Sequence, residues 1–227
     1  MDDGDSGSLQ CGPAELACEV ERADQINRYK DRQRQDKLAR LIFPGSGPDG
    51  SWTHKDGYRY FRNRGMFWGQ PELWNPDGPR SWELFASHAD RLAANYSANQ
   101  RDEFVRDFAL VFGGVSSRED FTSAALGSAD GPKLPFLTYS TEGLPSIYED
   151  SIDHDNQTHH YAGIFALGYF NGYETASAVN FARDSRLSGE PNPGDIALGE
   201  VAAKHGNLFA LTGTLNQIGQ LISSVIP

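Results

Sequence analysis

The stretch Asn156-Gln157-Thr158-His159-His160-Tyr161-Ala162-Gly163-Ile164-Phe165-Ala166-Leu167-Gly168-Tyr169-Phe170-Asn171 decides the fold. After a polar first turn, the residues from Tyr161 to Phe170 leave no polar face. A helix that is apolar all round belongs in the middle of a domain. Ala162, Gly163, Ala166 and Gly168 let neighbouring helices approach closely, and the helix propensity they cost implies that packing needs them. The apolar run is about half the length of a membrane span, so no spanning helix is expected.

Around this segment lie amphipathic stripes. Trp82, Phe85, Ala86, Ala89, Leu92, Ala93 and Tyr96 recur at three- and four-residue steps, with Ser81 as N-cap. Ser97 opens a second start, followed by Phe104, Val105, Phe108, Val111 and Phe112 and the Gly113-Gly114 stop. Ser116 and Glu119 frame a further capping box. Asn171-Gly172 breaks the buried helix, and Ala176, Val179 and Ala182 mark its successor. Asp195 is expected to cap a helix that Gly206 closes. Leu208, Leu211, Leu215, Ile218, Ile222 and Val225 then form a heptad seam, either docked on the bundle or offered to a protein partner. The pattern predicts a mainly α fold of about six or seven helices around the buried central helix (156–171).

Charge divides the 227-residue chain. Residues 1–21 carry six acids and no base, 22–67 carry eleven bases against five acids, and 68–227 carry nine bases against twenty acids. The acidic body disfavours nucleic acid as a partner. Leu16 to Ile42 reads as a helix whose middle, Asn27 to Lys37, has Tyr29 as its only apolar residue and so reads as a solvated helix or a helical linker. After the Pro44–Gly50 break, Asp56-Gly57 between aromatic runs signals a small β-hairpin near 52–68. The expected divisions are 1–43, an N-terminal helix with an acidic tail; 44–79, the basic aromatic hairpin segment; and 80–227, the helical core. Composition fits a soluble globular chain, and the acidic start does not read as a signal peptide. Cys11 and Cys18 allow one local disulfide.

One constellation carries candidate chemistry. Asp153-His154-Asp155-Asn156-Gln157-Thr158-His159-His160 gathers three of the six histidines at the start of the buried helix. Asp155 and His159 stand one turn apart. A histidine paired with a carboxylate is oriented and made more basic, as a general base requires. His159 and His160 are therefore the candidate acid–base groups, with Asp155 and Asp153 as supporting carboxylates and water as the simplest nucleophile. The same segment offers a divalent metal the ligands His154, His159, His160 and Glu174, with His205 in reserve, although no familiar zinc spacing is present. Capping alone also explains acids at a helix start. Asp195, Glu200 and His205 form a second, weaker set.

These readings suit a hydrolase-like enzyme acting on a small or polymeric substrate, in the manner of a delivered toxin-like domain. The alternative is a non-catalytic interaction or structural module that uses the aromatic hairpin or the C-terminal heptad helix. No Walker loop, dinucleotide fingerprint or nucleophile elbow is present. The long segment 128–152, with Phe136 and Tyr139 between Gly131 and Gly143, is expected to act as a lid that shields the histidines. Shortening residues 138–146 is accordingly expected to leave stability nearly unchanged.

Overall fold

The structure, a computed structural model, describes residues 16–42, 51–53, 59–61, 66–68, 81–116, 139, 143–148, 157–186 and 192–226. Among these the chain is mainly helical. The helices are α1 (Leu16–Ile42), α2 (Ser81–Ala93), α3 (Arg101–Gly113), α4 (Gln157–Asn171), α5 (Tyr173–Arg186), α6 (Pro193–Thr212) and α7 (Ile218–Ser223). Three strands of three residues each, β1 (Ser51–Thr53), β2 (Arg59–Phe61) and β3 (Met66–Trp68), pair antiparallel in chain order, with Tyr60 opposite both Trp52 and Phe67. The capping box at Ser116–Glu119 lies outside the described residues beyond Ser116. No helix among the described residues is long and apolar enough to cross a membrane.

Apolar periodicity dictates the core. Trp82, Phe85, Phe104, Phe108, Phe112, Tyr161, Phe165 and Phe209 are all fully buried. Phe85 stacks on Phe108 and Tyr161 on Phe165, while the other rings meet at edges and tilts; Trp82 and Tyr161 are 5.6 Å apart, Phe108 and Phe165 5.3 Å, and Phe165 and Phe209 5.7 Å. Such geometry suits the ring quadrupoles better than face-to-face stacking. α4 packs against α3, α5 and α6, and α2 packs against α7. The Trp82 indole N–H donates to the carbonyl of Ile222 at 2.9 Å, fixing α7 in place.

α4 and α6 cross with their backbones in contact. A Cβ placed on Gly168 would stand 2.5 Å from the Ala203 carbonyl oxygen, and one on Gly206 would stand 2.0 Å from the Phe165 oxygen. Gly206 therefore does not close the helix, as the sequence suggests. It lies within α6, which runs on to Thr212. The cap at the other end also differs: Asn192 accepts from the Asp195 amide, and Pro193 occupies the first turn. The heptad seam is likewise not one helix. α6 stops before Gly213, and Thr214 and Gln217 form a capping box that starts a new turn. Ile218, Ile222 and Val225 are buried, while Leu208 and Leu211 face outward.

α1 docks through one face of its second half, while residues 20–26 and Tyr29 are exposed. Asp31 and Gln35 are buried in its middle. Ser116 donates to Asp31 at 2.6 Å, and the Gln35 amide donates to the Leu110 carbonyl at 2.8 Å. Arg34 makes a two-pronged contact with buried Asp107, at 2.5 and 2.8 Å, and a further bond to Glu103 at 2.9 Å. Tyr96 donates to the same Asp107 carboxylate at 2.5 Å. Hydrogen bonding to Asp107 holds the Arg34 guanidinium above its ordinary pKa, against the opposing effect of its burial. Leu38, Ala39 and Ile42 then enter the apolar core. Cys18 is disulfide-bonded, and Cys11 is the only other cysteine of the chain.

Candidate functional site at the start of helix α4

Asp153, His154 and Asp155 lie outside the described residues. The first turn of α4 begins two residues after Asp155, at Gln157. Gln157, Thr158 and His160 are buried there, and His159 is half-buried. The Gln157 amide nitrogen donates to the Tyr148 carbonyl at 2.7 Å. Among the described residues, Gln157 Oε1 and Thr158 Oγ1 find no hydrogen-bond partner. A buried polar atom left in this state costs about 1–3 kcal/mol, and few native groups bear it.

His160 is held from α5. Its Nε2 lies 2.9 Å from Asn180 Oδ1, and the Asn180 amide nitrogen donates to the Ile196 carbonyl at 3.0 Å. That second bond fixes the orientation of the amide, so its oxygen faces the ring and His160 Nε2 is the donor. Gly199 makes room for this arrangement, because a Cβ there would come 2.0 Å from Asn180 Oδ1. The sequence offered Asn180 no role; its only signal is a polar residue one position beyond Val179 on an otherwise apolar stripe.

The remaining described histidines serve the core. His205 Nδ1 is 2.8 Å from the Tyr161 hydroxyl, and its Nε2 is 3.4 Å from Ser224 Oγ. Ser224 spends its own hydrogen on the Leu221 carbonyl at 2.7 Å. His205 Nε2 therefore carries the hydrogen and Nδ1 accepts from Tyr161, which removes the lone pair a Ser–His catalytic pair needs. Burial pushes the His205 imidazole down to about 4 and raises the Tyr161 hydroxyl well above its usual value. His88 Nδ1 lies 2.7 Å from the Tyr139 hydroxyl. Tyr139 is itself buried against Phe85 and Phe112. It is a core residue and does not cover the α4 histidines as a lid would.

The second candidate set does not converge. Glu200 faces α5, where it accepts from Tyr173 and from Ser177 at 2.7 Å and pairs with Lys204 at 3.4 Å. Burial tends to raise the Glu200 carboxyl, but these three partners outweigh it and hold the group below its usual value. His205, five residues on, points instead to Tyr161. Glu174 is exposed in the first turn of α5. Among the described residues no three His, Cys, Asp or Glu side chains come together as metal ligands. No protein-family model, no curated protein and no solved structure matches the chain.

Proposed function

We propose that the chain is a hydrolase-like enzyme that acts at the N-terminal turn of α4. His159 is the acid–base group, and Asp155, one turn before it, orients the imidazole, with Asp153 as a second carboxylate. His160 is a positioning residue, because Asn180 occupies its Nε2. The reading is supported by one observation: Gln157, Thr158 and His160 are buried together in the first turn of the most apolar helix. Capping does not require polar side chains to be driven inside, and burying them is costly. Such costs are retained where chemistry uses the groups.

The test is a panel of chromogenic ester, phosphoester, peptide and glycoside substrates, run with and without added divalent metal. Wild type is expected to turn over one class, with His159→Ala at least about 100-fold slower. No turnover of any class by wild type rejects the reading, and turnover only with metal present moves the chemistry to the ligand set that includes His154.

A second reading, an interaction module, is favoured by Leu208 and Leu211, which are 47% and 74% exposed near the end of α6. The basic aromatic segment near 52–68 would be its other surface. Concentration-dependent sedimentation that Leu211→Glu abolishes would support this second reading.

A further inference from the structure

We propose that the first half of α1 is a dimerisation arm, on which a second copy of this chain lays its own first half antiparallel. The proposal is independent of the hydrolase reading. α1 is 27 residues long, and its second half is the part seated on the bundle. Asp31, Gln35, Leu38, Ala39 and Ile42 are buried there, where α1 meets α2 and α3. Arg34 fixes that seat through Asp107. Residues 20–26 and Tyr29 are exposed.

The arm carries an apolar row. Val20, Ala23, Ile26 and Tyr29 follow one another at three-residue steps. The first three lie within about a third of the helix circumference. Val20 is 62% exposed, Ile26 45% and Tyr29 63%. Apolar side chains scattered singly over a surface are ordinary, but these are successive members of one row. The small residue in that row, Ala23, lets a second helix axis come close.

Charge selects the occupant. Residues 19–24 hold Glu19, Glu21 and Asp24 against Arg22, and residues 28–32 hold Arg28, Lys30 and Arg32 against Asp31. Asp31 is buried and accepts from Ser116, so it adds little to the surface of the arm. The arm is therefore acidic at its start and basic at its end. An antiparallel second arm sets each acidic end against a basic one, whereas a parallel arm sets like on like. A patch that complements itself under a two-fold rotation is what an isologous dimer requires. The pair of Arg28 and Asp24 within the arm, at 2.7 Å, does not oppose this. Such a solvent-exposed pair is worth little, and a guanidinium has further N–H groups to donate.

Size sets the strength. One arm against one arm falls at the low end of interface area, below about 1,200 Å², so the dimer is weak and depends on concentration. Its charged flanks make it sensitive to salt.

Sedimentation equilibrium of the full chain is the test. Wild type is expected to pass from monomer to dimer as its concentration rises, and added salt to weaken the dimer. Val20→Glu and Ile26→Glu are each expected to raise the dissociation constant at least about tenfold, because a glutamate cannot enter the contact without losing its water. The double variant Arg28→Glu with Lys30→Glu is expected to do the same at low salt. Val20 and Ile26 are exposed in the monomer, so their dilute variants should melt with wild type. A photoreactive benzophenone side chain carried at position 29 reads the orientation: illuminated dimers should be joined from 29 to residues 19–24 of the other copy. A chain that stays monomeric at every concentration overturns the proposal. So does association that Leu211→Glu abolishes and the arm variants leave intact, which assigns the contact to the outer face of α6. Dimers joined from 29 to 29 overturn it as well, since they set the arms parallel.

Discussion

The carbonyl oxygen of Phe165 lies against Gly206, so close that a single methyl on Gly206 would stand 2.0 Å from it. The neighbouring contact, Gly168 on Ala203, is also backbone on backbone. Neither side can yield by turning a rotamer.

Gly206→Ala should therefore force α4 and α6 apart, at a cost of about 3 kcal/mol or more. For a chain of this size that is a fall in Tm of about 6–12 °C. Gly163→Ala is the control, because among the described residues its Cβ would meet only Val115 at an ordinary 3.9 Å. There the gain in helix propensity should leave Tm level or raise it. Equal losses in both variants would show that the crossing does not depend on this contact.

Gly199→Ala should act on the site and not on the crossing. The added methyl displaces Asn180, and His160 Nε2 loses its acceptor. Asn180→Leu should have the same effect and also strip the Ile196 carbonyl of its donor, at a cost of about 2–4 kcal/mol. The His160 Nε2 proton, observed by nitrogen-edited NMR, should exchange rapidly in both variants and slowly in wild type.

The buried imidazole of His205 sets an acid limit. The folded chain keeps it neutral down to about 4, whereas the unfolded chain binds a proton near the ordinary histidine value. Between these values the unfolded state holds more protons, so stability should fall as pH falls from about 6.5 to about 4. Glu200, held below its usual value, should extend the loss through the lower part of the carboxylate range. Thermal melts at half-unit pH steps should show the slope, and His205→Gln should flatten its upper part. An unchanged slope would place the proton uptake elsewhere.

Removing residues 138–146 should unfold the protein or cost it many degrees in Tm. Tyr139 and Leu144 are both buried, and losing a buried aromatic alone costs about 3–5 kcal/mol. The expectation drawn from loop length fails here because that principle concerns chain entropy and says nothing of side chains anchored in the core. A shortened chain with wild-type Tm would show that these two residues contribute little.

Legibility followed from where each element's partner lies. The stripes of α2 and α3 were readable, because an apolar face announces its burial whatever it meets. The docking of α1 was not. Asp31, Arg34 and Gln35 look solvated until Asp107, Leu110 and Ser116 are brought beside them by the fold. Gly206 reads equally well as a helix stop or a crossing point, and only Phe165 decides between them. Two signals in the sequence agree with the structure: Asn192-Pro193 marks the start of α6, and Thr214 with Gln217 marks the break in the heptad seam. At the start of α4, the crowding of polar residues is visible in the sequence, but the burial of Gln157, Thr158 and His160 is not, since burial is a property of surroundings.

Arg34→Ala should leave Asp107 buried with only Tyr96 to answer its charge, at a cost of about 3–5 kcal/mol. Tyr96→Phe should cost about 1 kcal/mol. Urea midpoints of the two variants measure the difference, and near-equal values would show that the ion pair adds nothing beyond the phenol.

The seam between α1 and α3 also works as a keyed joint. An apolar face tolerates sliding, since one greasy side chain substitutes for another at little loss. Here a shift of α1 by one turn brings Leu38 or Lys30 to the place of Arg34. Leucine leaves the Asp107 carboxylate with the Tyr96 hydroxyl alone, and lysine lacks the planar fork that meets both of its oxygens. Neighbouring alignments are thereby disqualified by charge, and the long helix has one seat on the bundle, set by a guanidinium of α1 and a carboxylate of α3.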